Sequence, residues 1–400
     1  MNNETRKETQ VLPKDVRCVG ADDLTLSLFE NQYPVQPMGV SYNSYLILDE
    51  KIAVMDSVDA RAADEWLAKL AHELDGRSPD YLVISHMEPD HSGSILRLAE
   101  KYQEMKLVGN TKTFTMLRQF FGAKAPTDDR LLEVGEGETL PLGAHTLHFM
   151  LAPMVHWPEV MVAYEETEKL LFSADAFGRF GALSRTAGAP WAPQARRYYY
   201  NIVGKYGAQV QALLKKASAL EIKTVCPLHG PVLTGEALGE ALRLYDLWSR
   251  WQSESPDDIL LAHASIHGNT ARAAELFKQK LEAKGARVTL CDLTTTEVSY
   301  AVANAFYCGK LVLACSTYDG GLFPPMEEFL SHLQAKGFRD RSVGLMENGS
   351  WAPAAARLMR AKLEEMKDLR VCGTVVSLRS ALSPASEAQM DALTTELCAK

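Results

Sequence analysis

The sequence has no cysteine pair spaced for chemistry. Its seven cysteines, at 18, 226, 291, 308, 315, 372 and 398, are odd in number, scattered and never arranged as CxxC. That argues against a disulfide framework and against a thiolate metal site, and fits reduced thiols in a cytoplasmic protein. No run of 18 or more apolar residues occurs, so no transmembrane helix is expected. The opening "MNNETRKETQ" lacks the apolar stretch of a secretory signal and reads as a frayed polar tail. Excess positive charge is also missing. The formal net charge is −9, which argues against a general nucleic-acid or anionic-membrane binder. There is no internal repeat and no low-complexity segment.

What is present is ordinary globular composition, 46% hydrophobic and 23% charged, over 400 residues. That length exceeds what one core usually serves, so two domains are expected. The first part reads as strands, then strands mixed with helices. "SYNSYLILD" and "KIAVMDSVD" look like paired strands, "RAADEWLAKLAHEL" like a helix, and "YLVIS" like a buried strand followed by the helix "SILRLAEKYQE". "TLHFMLAP", "VMVAYEE", "KLLFSAD" and "KTVCPL" are further strands, and "LTGEALGEALRLYDLWSRW" is a long amphipathic helix. The polar, proline-containing "QSESPDD" reads as a linker. Beyond it, five apolar strands alternate with helices, which predicts a parallel sheet covered on both faces. The boundaries that follow are residues 1–252 and 257–400.

The densest chemistry lies in "SHMEPDHSGS", where His86, Glu88, Asp90 and His91 crowd into six residues after a strand. A polar loop after a strand is unremarkable by itself. Four ligand-type residues so close are not, and His156, Asp175 and His229 each follow another apolar strand. Strand ends on one edge of a sheet converge. Seven donors exceed one tetrahedral zinc and suit two metals sharing a carboxylate, with Asp175 the natural bridge because it arrives alone.

These residues resemble the metallo-β-lactamase fold, an αββα sandwich whose hydrolases carry a zinc-binding HxHxDH. Here Glu88 replaces the second histidine, and an oxygen donor suits iron better than zinc. The resemblance implies one iron held by His86, Glu88 and His156, a second by Asp90, His91 and His229, and Asp175 between them. His91 is either a ligand or a hydrogen-bond donor standing behind the ligands. Glu88, Asp90 and Asp175 would leave the diferrous pair with about one net positive charge.

In the second part, "AHASIHGNTARAAE" places Ser265, Ile266, His267, Gly268, Asn269 and Thr270 at the start of a helix, where backbone N–H groups favour a phosphate. The same residues also read as an ordinary helix cap. Two further loops, "CSTYDGGLFPPM" and "ENGSWAP", fall at C-terminal strand ends, where open α/β sheets bind ligands. They supply Ser316, Thr317, Tyr318, Asp319, Gly320 and Gly321, then Asn348, Gly349, Ser350 and Trp351. Tyr318 and Trp351 would stack on a flat ring or pack locally. The phosphate loop resembles the flavodoxin pattern S/T-x-x-G-N-T, which implies FMN. No GxGxxG is present, so no NAD(P)H site is expected.

Together, "SHMEPDHSGS", "HWPE", "SADAFG", "CPLHGP", "SIHGNT" and "NGSWAP" are similar to the motifs of the flavodiiron proteins, in the family's order and over nearly the whole chain. The fold so implied is an N-terminal metallo-β-lactamase-like αββα sandwich followed by a flavodoxin-like, doubly wound five-stranded parallel sheet. The implied function is reduction of dioxygen to water, of nitric oxide to nitrous oxide, or both, through FMN and two iron ions. The family also implies a head-to-tail homodimer or a homotetramer. No rubredoxin module with its two CxxC pairs is visible, so a separate donor is expected, a rubredoxin or a rubredoxin reductase. The competing readings are a zinc-dependent lactamase-fold hydrolase fused to a flavodoxin-like electron-transfer domain, and a redox carrier with a decayed metal site. Trp157, Phe177 and the run Tyr198, Tyr199 and Tyr200 are candidates for the pocket wall, the tyrosines reading better as packing against a helix or a dimer partner.

Overall fold

Short strands that are apolar at every position need cover on both faces. Leu46, Ile47, Ala53, Val54 and Met55 are all completely buried. The structure, a computed structural model, describes residues 12–398. The polar opening stretch therefore lies outside the described residues. By contact density the chain divides into two units. One holds the residues up to Tyr199 together with Ala208–Asp246; the other holds Tyr200–Gly207 and the residues from Leu247 on.

The first unit is an αββα sandwich of two six-stranded sheets. One sheet runs in the order Val16–Cys18, Tyr45–Ile47, Ala53–Met55, Tyr81–Val83, Lys106–Gly109 and Leu131–Glu133. The other runs Thr139–Pro141, Thr146–Leu151, Met161–Glu165, Leu170–Phe172, Thr224–Cys226 and Leu233–Thr234. A single core joins them, with Tyr45, Met55 and Val83 from the first sheet and Leu147, Phe149 and Phe172 from the second. Helix Ala63–Leu74 turns Trp66, Leu70 and Leu74 inward, as its 3–4 spacing requires.

Register decides where the site falls. Strands Leu170–Phe172 and Thr224–Cys226 are parallel, with Phe172 opposite Cys226. Asp175 and His229 each lie three residues beyond that pair, so they leave the same edge of the sheet in step. Strands Ala53–Met55 and Tyr81–Val83 are likewise parallel, with Met55 opposite Val83. That register brings Asp56 beside Ser85 and the start of the histidine-rich loop.

The second unit contains a parallel sheet in the order Val288–Asp292, Ser255–Ala264, Cys308–Tyr318, Arg341–Asn348 and Leu369–Leu378. The strand second in the chain stands at the edge and the first lies inside it, which is the flavodoxin-type order with its ligand crevice at the switch point. A short antiparallel strand, Gly321–Leu322, folds back on Cys308–Tyr318. Two features differ from the sequence reading. The first strand begins at Ser255, inside the stretch read as a linker, because Ser255 already pairs with Cys308 and a bulge carries the chain on to Ile259. Arg287 binds Ser255 Oγ at 3.0 Å and Asp258 Oδ1 at 2.7 Å, so these polar side chains fringe a paired backbone. A helix at Val298–Tyr307 was also not assigned from the sequence. It starts at Glu297, whose carboxylate accepts the Ser299 N–H.

Phe149 is fully buried between the two sheets of the first unit. We expect Phe149→Ala to cost about 3–5 kcal/mol, read from the urea unfolding midpoint at unchanged slope.

Candidate metal centre and flavin loops

His86, Glu88, Asp90 and His91 sit on the loop after Tyr81–Val83 and on the single helical turn Pro89–Ser92. His156 lies in the loop between Thr146–Leu151 and Met161–Glu165, with Asp175 and His229 beyond their parallel strands. The structure brings all seven together in two groups, His86, Glu88, His156 and Asp175 in one, and Asp90, His91 and His229 in the other. Within each group the donor atoms all lie within 4.8 Å of one another. Asp175 joins the groups. Its Oδ2 is 3.3 Å from His86 Nε2 and 2.9 Å from His156 Nε2, while its Oδ1 is 3.5 Å from His229 Nε2. Glu88 Oε2 stands 3.2 Å from His86 Nε2 and 3.1 Å from His156 Nε2, and Asp90 Oδ2 stands 3.5 Å from His91 Nε2 and 3.2 Å from His229 Nε2.

These donors are close, but not all of them are paired. His156 Nε2, Asp175 Oδ1 and Asp90 Oδ1 are buried and satisfy hydrogen-bond geometry with no partner. Buried polar atoms are rarely left so, because each costs on the order of 1–3 kcal/mol. The histidine tautomers agree. His91 Nδ1 faces the Ser57 carbonyl at 3.3 Å and His229 Nδ1 the Ser41 carbonyl at 2.7 Å, so each Nδ1 carries a proton. Their Nε2 atoms then face each other across 3.1 Å. Two lone pairs held that way need a proton or a cation between them.

The charge balance shows the same demand. Burial would pull His86 down, yet the Asp175 charge and the hydrogen bonds to Glu159 and Glu88 raise it well above the usual histidine range. His156 is raised to about 9, the carboxylates of Asp175 and Glu88 outweighing burial. Glu88 is held down to about 2 by His156 and His86 against its own burial. Burial lowers His91, whereas hydrogen bonding to Asp90 overrides burial and raises His229. The cluster is an anionic, proton-hungry box of nitrogen and oxygen donors. Two divalent metals sharing Asp175 would fit it.

In the second unit, the expected flavin residues fall on the loops after Ser255–Ala264, Cys308–Tyr318 and Arg341–Asn348. Side chains tie the loops together. Thr270 Oγ1 is 2.9 Å from Ser316 Oγ and accepts from Asn348 Nδ2 at 3.2 Å. Gly268, at φ 87°, turns the chain into helix Asn269–Glu282. Asp319 and Gly320, at φ 48° and 74°, form the hairpin between Tyr318 and Gly321. The Thr317 hydroxyl is occupied, accepting from the N–H groups of Ala354 and Ala355. Trp351 is 88% exposed and Tyr318 and Ile266 are also open, so none of the three is consumed by local packing. Arg272 was not singled out from the sequence. Its guanidinium binds the Asn269 side-chain oxygen and sets a cation beside the phosphate loop.

A family model described as "ODP family beta lactamase" matches residues 40–230. The chain is 27% identical over 358 residues to the rubredoxin-oxygen oxidoreductase of Megalodesulfovibrio gigas, covering 87% of each protein. It is 27% identical over 358 residues to the nitric oxide reductase of Moorella thermoacetica, covering 87% of this chain and 88% of that one. The crystal structure of the flavodiiron protein from Giardia intestinalis superposes with a TM-score of 0.88 at 26% identity, covering 96% of this chain and 95% of that one. The chain is similar to flavodiiron proteins over nearly its whole length.

The residues around the cluster divide unevenly. Trp157 reaches it, its ring meeting that of His86 edge-on at 5.1 Å and stacking on exposed Phe120 at 6.4 Å. Tyr198 also reaches it, contrary to the packing role expected for the whole tyrosine run. Its ring lies 5.5 Å from that of His229, and its buried hydroxyl has no partner. Burial and then the charges of Asp175, Asp90 and Glu88 push that hydroxyl well above the usual tyrosine range. Tyr199 packs against Tyr245 at 5.1 Å and Tyr200 stacks on Phe306 at 4.0 Å, both as core. Phe177 stacks on Tyr245 at 4.2 Å and is core rather than pocket wall.

Four supporting residues escaped the sequence reading. Asp56 Oδ1 accepts the Ser85 N–H at 2.7 Å, and burial pushes its carboxyl up to about 7. Glu159 binds His86 Nδ1 at 2.7 Å. Asn43 donates to the carbonyls of Pro227 at 2.8 Å and Gly230 at 2.7 Å, holding the turn that carries His229. Glu30, at the tip of the hairpin joining Leu28–Phe29 and Tyr33–Pro34, meets Glu88. Lost solvation and then the Glu88 charge push it up to about 7.

Metal binding must displace the protons held on His156 and His229. We expect apparent metal affinity of the metal-free protein to rise with pH through about 9, where His156 loses its proton unaided, with the raised His86 adding a further proton to displace. Calorimetric titration in buffers of different ionisation enthalpy reads the protons released. Affinity that stays flat between pH 6 and 9 contradicts this.

Proposed function

We propose that the chain is a flavodiiron oxidoreductase that reduces dioxygen to water, nitric oxide to nitrous oxide, or both. Electrons would pass from an external donor through FMN to a non-haem iron pair. One observation carries this reading: the two oxygens of the Asp175 carboxylate face two separate groups of buried donors, in which His156 Nε2, Asp175 Oδ1 and Asp90 Oδ1 have no hydrogen-bond partner. In a zinc-dependent hydrolase of this fold the oxygen donor Glu88 would be a poorer ligand than a histidine, and zinc supplies no redox chemistry.

In this reading His86, Glu88 and His156 hold one iron and Asp90, His91 and His229 the other, with Asp175 common to both. The approach of His91 Nε2 to His229 Nε2, with Ser57 occupying its Nδ1, supports ligation by His91 over a donor role behind the ligands. When bound, such an iron pair would supply electrons to a diatomic substrate, and FMN would deliver them one at a time. The chain's own residues do the rest. Backbone carbonyls of Ser41 and Ser57 fix the tautomers of His229 and His91, so neither ring rotates when the metal charge changes. Tyr198 offers a buried hydroxyl next to His229 with a free proton to donate, and the rings of Phe29 and Trp157 restrict water around the histidines. Asp56 holds the start of the His86 loop through the Ser85 N–H.

FMN would lie on the three loops of the second unit, its phosphate at Ser265–Thr270 and its ring beside Tyr318, Gly320, Gly321 and Trp351. The name of the Megalodesulfovibrio relative, rubredoxin-oxygen oxidoreductase, couples it to rubredoxin. A rubredoxin or a rubredoxin reductase is the donor we propose here. The family resemblance further supports a head-to-tail homodimer or a homotetramer, in which the flavin of one copy serves the irons of another. No helix among the described residues is long and apolar enough to cross a membrane. All seven cysteines are free thiols, which favours the cytoplasm.

Anaerobic reduction followed by parallel measurement of oxygen and nitric oxide uptake, with iron and FMN counted per chain, tests the reading. We expect two irons, one FMN and turnover with at least one gas. Asp175→Ala should lower iron content and abolish turnover while FMN stays bound. Undiminished turnover in that variant would remove the bridging role.

A further inference from the structure

The histidines of the two metal positions do not lean on equivalent partners. His91 and His229 give their Nδ1 protons to neutral backbone carbonyls, those of Ser57 and Ser41. His86 gives its Nδ1 proton to a carboxylate, Glu159 Oε1, at 2.7 Å. Glu159 is 1% exposed. It also accepts the Met87 N–H at 2.9 Å, and its second oxygen has no hydrogen-bond partner. Among the described residues no lysine or arginine pairs with it; its ion-pair partner is His86. Its backbone is held from the other side, where Asn110 Nδ2 donates to the Glu159 carbonyl at 2.6 Å.

A carboxylate behind a ligating imidazole fixes the tautomer and makes the ring a stronger donor, because it draws the Nδ1 proton and leaves more electron density at Nε2. It also adds a negative charge, felt strongly in a buried site. Both effects act on the group of His86, Glu88 and His156, whereas among the described residues His91 and His229 have backbone carbonyls rather than carboxylates behind them. We propose that Glu159 makes the two iron positions electronically unequal, so that the first electron entering the diferric pair settles at the Asp90–His91–His229 position and the His86 position stays ferric longest. This rests on the diiron reading above. Each step adds one electron to one iron. No bond breaks, and the Nδ1 proton stays on His86. Glu159 touches no substrate, so its role is positioning and polarising.

A purely structural Glu159 would brace the loop through Met87 and do no more. Glu159→Gln separates the two, because the amide keeps the size and an acceptor for both N–H groups but removes the charge. Wild type and variant, each loaded with two irons, are titrated stepwise with dithionite, and the half-reduced state is counted by electron paramagnetic resonance. We expect wild type to accumulate the mixed-valence form. In Glu159→Gln the equilibrium constant favouring that form should fall about tenfold, within the range that partners behind a ligand command. An unchanged constant with both irons bound overturns the proposal, as does a wild type that holds two irons and never shows the mixed-valence form. A wild type that binds no iron overturns the diiron reading itself. If the variant cannot hold two irons, nitrogen-15 NMR of the metal-free proteins decides. A strongly downfield His86 Nδ1 proton in wild type that moves upfield in Glu159→Gln supports the polarised pair; an identical resonance in both overturns it.

Discussion

Everything in the first unit is arranged around groups that repel one another. The carboxylates of Glu88 and Asp175 converge on the same two histidines, Asp90 and Asp175 converge on His229, and the Nε2 atoms of His91 and His229 face each other at 3.1 Å. Such an assembly destabilises a metal-free fold, since buried like charges and unmatched polar atoms each cost kilocalories. It persists because the surroundings leave the side chains no other place to go. Sites of this kind are where perturbed ionisation and function coincide.

The constraint is met by backbone more than by side chains. Parallel register carries Asp175 and His229 off one sheet edge in step, and a second parallel pair sets Asp56 against the start of the His86 loop. Asn43 fastens the His229 turn through the carbonyls of Pro227 and Gly230. The sandwich core beneath, shared by both sheets, supplies the rigidity that lets these few polar anchors define positions. The second unit solves its own problem in a similar way. Three loops at strand ends are stitched by Thr270, Ser316 and Asn348, which leaves Trp351 and Tyr318 exposed rather than folded back.

How much of this was readable follows from range. His86, Glu88, Asp90 and His91 were legible because they are adjacent in sequence. His156, Asp175 and His229 were legible because each follows an apolar run, and a run of that kind announces a strand end. The five-stranded sheet was legible from alternation alone. Asp56 and Glu159 were not, because a carboxylate that serves a backbone N–H or a distant imidazole looks like any other acid until the fold closes. The carbonyls of Ser41 and Ser57 have no side-chain signature at all. Tyr198 was hidden in a run of three tyrosines whose members turn out to serve different purposes. Ser255 was read as linker because its neighbours are polar, although strand pairing there depends on backbone and only the side chains meet solvent. Helix Val298–Tyr307 buries Ala301, Val302, Ala303, Ala305 and Phe306, and a segment apolar on so many sides shows little helical periodicity.

Glu159 also alters the charge account of the centre. Counted from the sequence, Glu88, Asp90 and Asp175 fall one charge short of a diferrous pair. With the buried carboxylate of Glu159 behind His86, four acids stand against four positive charges. A buried site close to neutral avoids the desolvation penalty that an unbalanced charge would incur. The reduced pair is therefore the state this protein shell balances with its own residues. The diferric state, two charges more positive, needs an anion from outside to reach the same balance. Glu88 in place of a neutral histidine and Glu159 behind His86 each add one negative charge, which lowers the cost of any rise in the charge of the metal pair.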